Sequence, residues 1–388
     1  MEVLVPRVVK CPLSLDRGDA QVLRGQGDTA RALWNLLHTY YQFHARSRRW
    51  PSWKQMDGAI RQGRKDIPWL ALLPAQACQQ VLRHYRQAWR NYWGGSHGKP
   101  TFKKRGTRRS IDVPQVRDLG FKPLNSKWVS VRVPKLGWRK IRVHHELPEQ
   151  MSGATLVEEA PGRWVLVVRG KQRLNLAPSA WAVPHVGVDL GVASTVTVST
   201  GDTYQLPELL TPGERKHLYV LERRASRQQL AHKKGCPRSR RYQATLDKIA
   251  TIRAHQKRVR TDFTHQTSNR LSLCARTVVF EALNIPNMTR SAKGTQTVPG
   301  VGVSAKRGLN RSILNQAWGD LQQKTKYKCE QRQGTLTLVS PQYTSQQCHQ
   351  CGYTAANNRD SQAKFVCKNP NCNWAGNADT NAAINIAN

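Results

Sequence analysis

Three acidic residues stand out because two of them lie on otherwise apolar, strand-like segments, where an unpaired carboxylate is costly to bury. Asp189 and Glu281 lie on these segments, and Asp379 opens a C-terminal helical segment. Converging carboxylates bind Mg²⁺, and two such ions about 4 Å apart activate water for hydrolysis of a phosphodiester. Taken alone, Asp379 is more simply a helix cap. The joint placement of the three acids predicts a metal-dependent centre.

Four of the nine cysteines cluster near the C-terminus, as Cys348-x2-Cys351 followed by Cys367-x4-Cys372. In a reducing compartment such a cluster indicates a metal site rather than disulfides. Two thiolate pairs on turn-rich hairpins predict one structural Zn²⁺ ion, although the second spacing is wider than the usual two residues. Sulfur fills all four ligand positions, so this metal is not expected to catalyse. The other five cysteines are scattered and are interpreted as buried or inert thiols.

The charge of the chain predicts a polyanionic partner. Its 388 residues include 62 Lys or Arg and 24 Asp or Glu, a formal net charge of +38 that is spread along the sequence. So much like charge destabilises a compact fold unless a polyphosphate neutralises it. No apolar run reaches the roughly 18 residues that a membrane span needs, and the N-terminus does not resemble a secretory signal. We therefore expect a cytoplasmic, nucleoid-associated protein without membrane contact.

The first half of the chain predicts a β unit interrupted by helices. Alternation favours a strand over residues 2–13, and apolar residues at helical spacing favour helices over 28–46 and 74–93. Short strands separated by Gly and Pro recur from 110 to 175. These strands predict a small antiparallel barrel or sandwich. The N-terminal strand could complete it, and the helices would then be an insertion.

The second half predicts a different architecture. From residue 186 onwards the pattern gives three strands, a helical hairpin, a strand, a helix over Leu309–Lys328, another strand and a final helix. That order is typical of an RNase H-like fold, so the whole chain is predicted to be multidomain α+β. The glycine-rich segment 287–308, which lacks periodicity, is predicted to be a mobile loop.

Two basic segments are candidate nucleic-acid contacts. The helical hairpin holds fifteen Lys or Arg against three acids over residues 214–260, which favours a phosphate-binding face over a solvated helix pair laced by salt bridges. A shorter basic run precedes the β unit and is typical either of backbone contact or of a solvated loop. The candidate contacts are Lys103, Lys104, Arg105, Arg223, Arg224, Lys233, Lys234, Arg240 and Arg241.

Five motifs stand out in the second half of the chain: Gly187-Val-Asp-Leu-Gly191, Glu281-Ala-Leu-Asn284, Leu309-Asn-Arg-Ser-Ile313, Tyr343-Thr-Ser-Gln-Gln-Cys348 and Asn377-Ala-Asp-Thr-Asn-Ala-Ala383. Together they resemble the motifs of the TnpB family, the transposon-encoded ancestors of type V CRISPR effectors. The resemblance covers residues 185–388 in motif and the first half mainly in layout. Where relatives often carry an acid after the glutamate, this chain has Ala282.

The resemblance implies four structural parts and a set of site residues. Asp189, Glu281 and Asp379 are implied to be the metal-binding triad of a RuvC-like nuclease. In related miniature type V effectors, an arginine twenty residues before the last aspartate reaches the active site, and Arg359 holds that position. The implied parts are a wedge β-barrel over 1–13 and 96–180, a helical recognition unit over 14–95, the nuclease domain over 181–343 and 376–388, and a zinc-binding target-nucleic-acid module over 344–375.

The function expected from this resemblance is RNA-guided DNA cleavage. A guide RNA would select double-stranded DNA beside a short flanking motif, two Mg²⁺ ions would serve the single nuclease site, one Zn²⁺ would be structural, and the protein would be a monomer. One alternative is an RNA-guided repressor that no longer cuts, which the intact triad disfavours. The other is a guide-free RNase H-like resolvase or transposase, which would leave the helical unit, barrel and zinc module without a role.

Overall fold

A computed structural model describes the ranges 2–46, 50–104, 106, 109–175, 181–232, 236–295 and 297–388. These residues form two compact units, Glu2–Leu174 and Asn175–Asn388, and each is described by itself. No helix in the described ranges has the length and apolar character needed to cross a membrane.

The first unit is a seven-stranded sheet with three helices inserted after its first strand. The strand order is β2-β6-β7-β1-β5-β4-β3, so the N-terminal strand lies between strands that follow the helices. Strands β2 and β3 stand at the two ends of this order. The elements are β1 (Glu2–Ser14), α1 (Arg17–Arg46), α2 (Trp53–Asp66), α3 (Ala75–Trp93), β2 (Ser110–Val113), β3 (Lys122–Pro123), β4 (Trp128–Val133), β5 (Gly137–Arg142), β6 (Gln150–Ala160) and β7 (Arg163–Asn175).

Helices and sheet of this unit share one hydrophobic core. Helix α1 buries Leu23, Leu33 and Leu37, and their spacing places them on one face. The Arg109 guanidinium ties α1 to β6, since it lies 3.0 Å from the Asp28 carboxylate and 2.9 Å from that of Glu158. The helical segment is therefore packed as part of the sheet's own core.

The second unit is built on a five-stranded mixed sheet in the order β10-β9-β8-β11-β12. Strands β8, β11 and β12 run parallel, while β9 and β10 pair antiparallel beside β8. The strands of this sheet and the helical hairpin follow the order predicted from the sequence, and further short elements are present. The elements are β8 (Val183–Asp189), β9 (Val196–Val198), β10 (Thr203–Tyr204), α4 (Pro212–Leu230), α5 (Arg240–Cys274), β11 (Ala275–Glu281), α6 (Ile285–Met288), α7 (Val303–Gln316), α8 (Trp318–Gln331), β12 (Thr335–Val339), β13 (Lys364–Val366), β14 (Ala375–Asn377) and α9 (Ala378–Ala387).

The helix predicted over Leu309–Lys328 is two helices that meet at Ala317. This residue has φ of 57°, in the left-handed region, which ends α7 before α8 begins. The Gln316 side chain beside the break donates to the carbonyl of Val192 and accepts from the Thr195 hydroxyl. The turn between β8 and β9 thus holds the end of α7. The segment 287–308, predicted as a mobile loop, contains the last two residues of α6 and the first six of α7.

Helix α8 packs on α5 through a ladder of buried basic side chains. The Lys324 ammonium lies 2.6 Å from the Thr264 hydroxyl, and the Lys328 ammonium lies 2.8 Å from the Ser268 hydroxyl and 2.5 Å from the His265 carbonyl oxygen. One turn on, Arg332 donates to the Ser272 hydroxyl. Burial, reinforced by the neighbouring Arg332 and Lys324 charges, lowers the pKa of Lys328 to about 8.

Helix α9 lies so close to β8 that only glycine fits at position 187. A Cβ atom on Gly187 would overlap the carbonyl oxygen of Ala383 and lie 2.5 Å from the amide nitrogen of Ala387. Both clashing atoms belong to the backbone, which cannot rotate aside. Glycine at position 187 therefore allows the short distance between α9 and β8.

We expect Lys328→Met to stabilise the protein more at pH 7 than at pH 10. Below the pKa of about 8 that Lys328 has in the folded protein, the native state contains a buried ammonium ion. In the unfolded chain the same ion is hydrated. As pH rises towards the unfolded pKa of about 10.4, the native state sheds its proton first, so native stability recovers. The pKa difference corresponds to roughly 3 kcal/mol of differential interaction.

Thermal unfolding of both proteins at pH 7 and pH 10 measures this difference. The exposed Lys326 on the same helix supplies the control, because Lys326→Met should change stability equally at the two pH values. An advantage of Lys328→Met that does not shrink at pH 10 would contradict the assignment.

Gly187→Ala should destabilise the second unit by about 3 kcal/mol or more, at the upper end of the cost of overpacking, because the new methyl group meets fixed backbone. Gly308→Ala is the matched control: it lies inside α7, and a methyl group added there would meet no atom within 4 Å beyond its chain neighbours and the backbone of its own helix. It should raise stability by about 0.5–1 kcal/mol. Denaturant unfolding of both variants checks the pair, and similar effects at the two positions would refute the close approach.

Candidate active site and metal-binding cluster

Asp189 and Glu281 end two neighbouring parallel strands. In the register of β8 and β11, Val188 lies opposite Phe280, so the two acids are the next residues on adjacent strands. In-register residues of parallel strands point to the same face. Glu281 is 8% exposed, and its backbone carbonyl is held by the Gln322 side chain of α8 at 3.2 Å. The sheet thus places both carboxylates at the edge where β8 and β11 end.

Asp379 reaches the same edge from the N-terminus of α9. Gly187 and Asp189 share one face of β8, and α9 packs on that face at Gly187. Asp379 lies one helical turn before Ala383, which is the residue in contact there. Asn377 caps the helix by accepting from the amides of Asp379 and Thr380 at 2.9 and 3.0 Å. The Asp379 side chain is therefore not the cap and is available for other contacts.

The pKa of Asp189 records the crowding of negative charge. Burial, followed by the charges of Glu281 and Asp379, raises the pKa of Asp189 to about 7, against the opposing effect of the Arg359 charge. Burial also raises the pKa of Glu281, and the hydrogen bond from Thr344 opposes this rise. A cation bound beside Asp189 and Glu281 would oppose both rises, because it favours the charged form of a carboxylate.

Two polar side chains contact the acids directly. The Thr344 hydroxyl donates to Glu281 Oε1 at 2.6 Å. Arg359 Nη2 lies 3.0 Å from Asp379 Oδ1, and the same nitrogen donates to the carbonyl oxygen of Gln362 at 2.7 Å. Arg359 thus lies beside Asp379, one of the three candidate metal ligands.

The four clustered cysteines form a compact group of sulfur atoms. Their Sγ atoms all lie within 4.8 Å of one another, with Cys348 and Cys372 at 3.9 Å and Cys351 and Cys367 at 3.6 Å. A backbone hydrogen bond from Tyr353 lowers the pKa of the Cys351 thiol to about 7, which favours the thiolate form that binds metal. Among the described residues, the three carboxylates do not form an equally tight group.

Asparagine side chains join the cysteine-bearing segment to α9. Asn381 Nδ2 donates to the carbonyl of Gln347 at 2.8 Å, and its Oδ1 accepts from the amide of His349 at 3.0 Å. Asn385 donates to the carbonyls of Thr344 and Gln347 at 2.9 and 2.7 Å. The turn that carries Thr344 to Glu281 is therefore fixed to the helix that carries Asp379.

The predicted nucleic-acid contacts are only partly described. Arg223 and Arg224 on α4 and Arg240 and Arg241 on α5 are exposed. The Lys103 ammonium rests 4.0 Å from the centre of the Trp34 ring. Lys104 is exposed as well. Arg105, Lys233 and Lys234 lie outside the described residues.

Sequence reasoning does not identify Thr344, Asn381 or Asn385. Each lies inside or just beyond a motif that stands out for other residues, and that position is the signal available in the sequence. Thr and Asn are too common on protein surfaces for type alone to mark them. Their burial, 0% exposed for Asn381 and 9% for Thr344, is what reveals their contacts.

Comparison with known proteins places the chain among related sequences. Two family models match it, one described as "Probable transposase" over residues 171–292 and one described as "Cas12f1-like, TNB domain" over 318–386. A relative from Streptomyces pristinaespiralis, named "Putative RNA-guided DNA endonuclease", is 26% identical over 340 residues, 86% of this chain and 77% of its own. The cryo-EM structure of a Cas12f1–sgRNA–target DNA complex shares the fold, with a TM-score of 0.53 and 15% identity over 97% of this chain and 84% of that one.

A further relative decides the family. The Escherichia coli (strain K12) protein named "Putative RNA-guided DNA endonuclease InsQ" is 34% identical over 321 residues, which cover 83% of this chain and 76% of that protein. A match of 321 residues is longer than either unit and therefore spans parts of both. The chain therefore belongs to the TnpB family of transposon-encoded proteins related to Cas12f1.

Proposed function

We propose that the protein is an RNA-guided DNA endonuclease that hydrolyses phosphodiester bonds at one RuvC-like site. The observation that carries the nuclease assignment is the meeting of Asp189, Glu281 and Asp379 at the carboxyl edge of the parallel strands, where ligands of α/β sheets bind. Family membership supports the RNA guide. With a single nuclease centre, both DNA strands would be cut in turn at the same place.

The acids suit a hard divalent cation. Their donor atoms are all carboxylate oxygens, the ligands that Mg²⁺ prefers. Burial, followed by the charges of Glu281 and Asp379, raises the pKa of Asp189, and a bound cation would favour its charged form. Two Mg²⁺ ions are proposed, held by Asp189, Glu281 and Asp379. When bound, such ions supply activation of water and stabilise charge on the leaving oxygen.

The remaining groups position the acids and the phosphate. Thr344 holds one oxygen of Glu281 and leaves the other available. Arg359 neutralises part of the charge on Asp379 before substrate arrives, and its planar guanidinium keeps further donors. We propose that these donors meet a non-bridging phosphate oxygen, where a preorganised cation stabilises the charge that develops during hydrolysis.

The cysteine group suits a structural Zn²⁺ ion. Four sulfur ligands would complete the tetrahedral coordination of the zinc ion, so no open position would remain for catalysis. The proposed ion would fix the segment 344–375, and this segment contributes Thr344 and Arg359 to the acidic centre. Its role is therefore to hold those two side chains in place.

The partners follow from charge and family. Guide RNA and double-stranded target DNA are proposed to neutralise the net charge of +38, with the exposed arginines of α4 and α5 among the contacts. Pairing with the guide would read the target sequence, and the protein would read a short flanking motif. The division into wedge, recognition unit, nuclease and zinc module, and the monomeric state, are part of the same proposal.

We expect cleavage of DNA to depend on RNA and to follow the guide. The protein is freed of its co-purified RNA, reloaded with guides of chosen sequence, and incubated with Mg²⁺ and plasmids that carry matched targets beside randomised flanks. Cleavage should vanish without RNA and move with the guide. Asp189→Ala should bind the matched target and leave it uncut, because the acid holds metal and not the duplex.

The control is Asp262→Ala, since Asp262 is an exposed acid on α5; this variant should cut at the wild-type rate. Cutting that persists without RNA would favour a guide-free resolvase or transposase. Guided binding without cutting by the wild-type protein would favour a repressor.

Elemental analysis after dialysis should find one zinc per chain. Cys348→Ser and Cys367→Ser should each lower the zinc content and slow guided cleavage, because structural zinc contributes folding free energy to its module. Cys236→Ser is the control, since Cys236 is exposed and outside the cluster. Zinc-free fresh protein, or disulfides between the four cysteines, would overturn the assignment.

A further inference from the structure

Tyr343 occupies an unfavourable backbone conformation beside the candidate active site. Its φ is 63°, in the left-handed region that bulky residues avoid. Tyr343 is nonetheless 62% exposed. Packing against the described residues therefore does not offset the energetic cost of this backbone conformation. Strained residues of this kind persist where the surrounding structure fixes them, and they cluster at functional sites.

The surrounding turn explains how the conformation is maintained. The Tyr343 carbonyl accepts from the amides of Gln346 and Gln347, both at 2.9 Å. The next residue, Thr344, is buried and donates to Glu281, while Asn385 holds the Thr344 carbonyl. One turn thus directs a hydroxyl inwards to a candidate metal ligand and an aromatic ring outwards to solvent.

The turn that carries Tyr343 lies at the edge of the sheet that holds the candidate active site. Tyr343 follows the carboxyl end of β12, on the sheet edge where β8 and β11 present Asp189 and Glu281. Within the described part of the chain, its ring stacks on no other aromatic ring and its hydroxyl makes no hydrogen bond. An exposed, unpartnered aromatic ring beside a phosphodiester site is suited to stack on a nucleobase, and every base offers a face for such stacking.

We propose that the Tyr343 ring is a stacking platform for an unpaired base of the DNA strand whose phosphate lies at the three acids. This inference rests on the proposed nuclease function and names the form of its substrate. Bases inside a duplex are already stacked on both sides, so the platform selects a strand that has been separated from its complement. Stacking would fix the strand along its length while the acids and Arg359 hold the phosphate.

Four substitutions at position 343 separate stacking from a structural role. Tyr343→Phe and Tyr343→Trp keep an aromatic face and should cut guide-matched DNA within about twofold of the wild-type rate. Tyr343→Asn and Tyr343→Gly should cut about 5- to 150-fold more slowly, the range expected for loss of one stacked base. Asn and Gly tolerate positive φ, so their thermal unfolding midpoints should not fall.

A residue that served only the fold would give the opposite order, with Gly and Asn as good as Tyr or better. Wild-type rates in the Asn and Gly variants would therefore overturn the proposal. Tyr327→Asn is the control in the same unit, because Tyr327 is also exposed, at 37%, and should keep the wild-type rate.

A second measurement does not depend on cleavage. A thymidine oligonucleotide containing 5-iododeoxyuridine is photo-crosslinked to the RNA-loaded protein in Ca²⁺, and the attached residue is mapped by mass spectrometry. Attachment to Tyr343 supports the stacking platform whether or not guided cleavage is observed. If the crosslink forms but guided cleavage fails, only the proposed nuclease function is overturned. Attachment elsewhere, with guided cleavage intact, removes the platform and leaves the proposed function standing.

Discussion

Three carboxylates in one partly buried space repel one another, and the fold has to hold them there. Burial is the largest cause of the raised pKa of Asp189, and the charges of Glu281 and Asp379 add to it. The hydrogen-bonded register of β8 with β11 prevents Glu281 from moving away along its strand. The close packing of α9 against Gly187 likewise prevents Asp379, at the start of α9, from moving away from the other two acids. Cations that bind between the acids would relieve the repulsion, so metal affinity and the stability of this unit are linked.

The contacts around the acids avoid adding further negative charge. The turn that carries Thr344 is held by the amide side chain of Asn385, and the next turn is held by that of Asn381. Asn358, which is fully buried, joins the carbonyls of Gln346 and Tyr353. Neutral amides both donate and accept, so they bond the turns without shifting the electrostatic balance of the metal site. An aspartate at these places would add to the repulsion.

The sequence allows the reactive groups to be predicted better than the contacts that hold them. Acids on apolar strands and paired cysteines are unusual enough to be recognised by type and spacing. The ladder of Lys324, Lys328 and Arg332 is not, because lysines beside hydroxyl residues look like any solvated helix face. The break at Ala317 escapes prediction for a similar reason: neither Gly nor Pro marks the position, and the cause is a distant contact made by Gln316. Strand β6 and helix α2 are not predicted either.

Helix α5 runs without interruption for 35 residues, a length of about 52 Å. Its first turns carry exposed arginines, its second half is fixed to α8 by the lysine ladder, and its last residue leads directly into β11. The strand then ends at Glu281. A long, uninterrupted helix transmits force along its length. A nucleic acid that pulls on the arginine-bearing end of α5 would therefore also strain the end that is joined to β11. The strand that bears a candidate metal ligand is therefore mechanically continuous with the basic surface, and no hinge separates them along the chain.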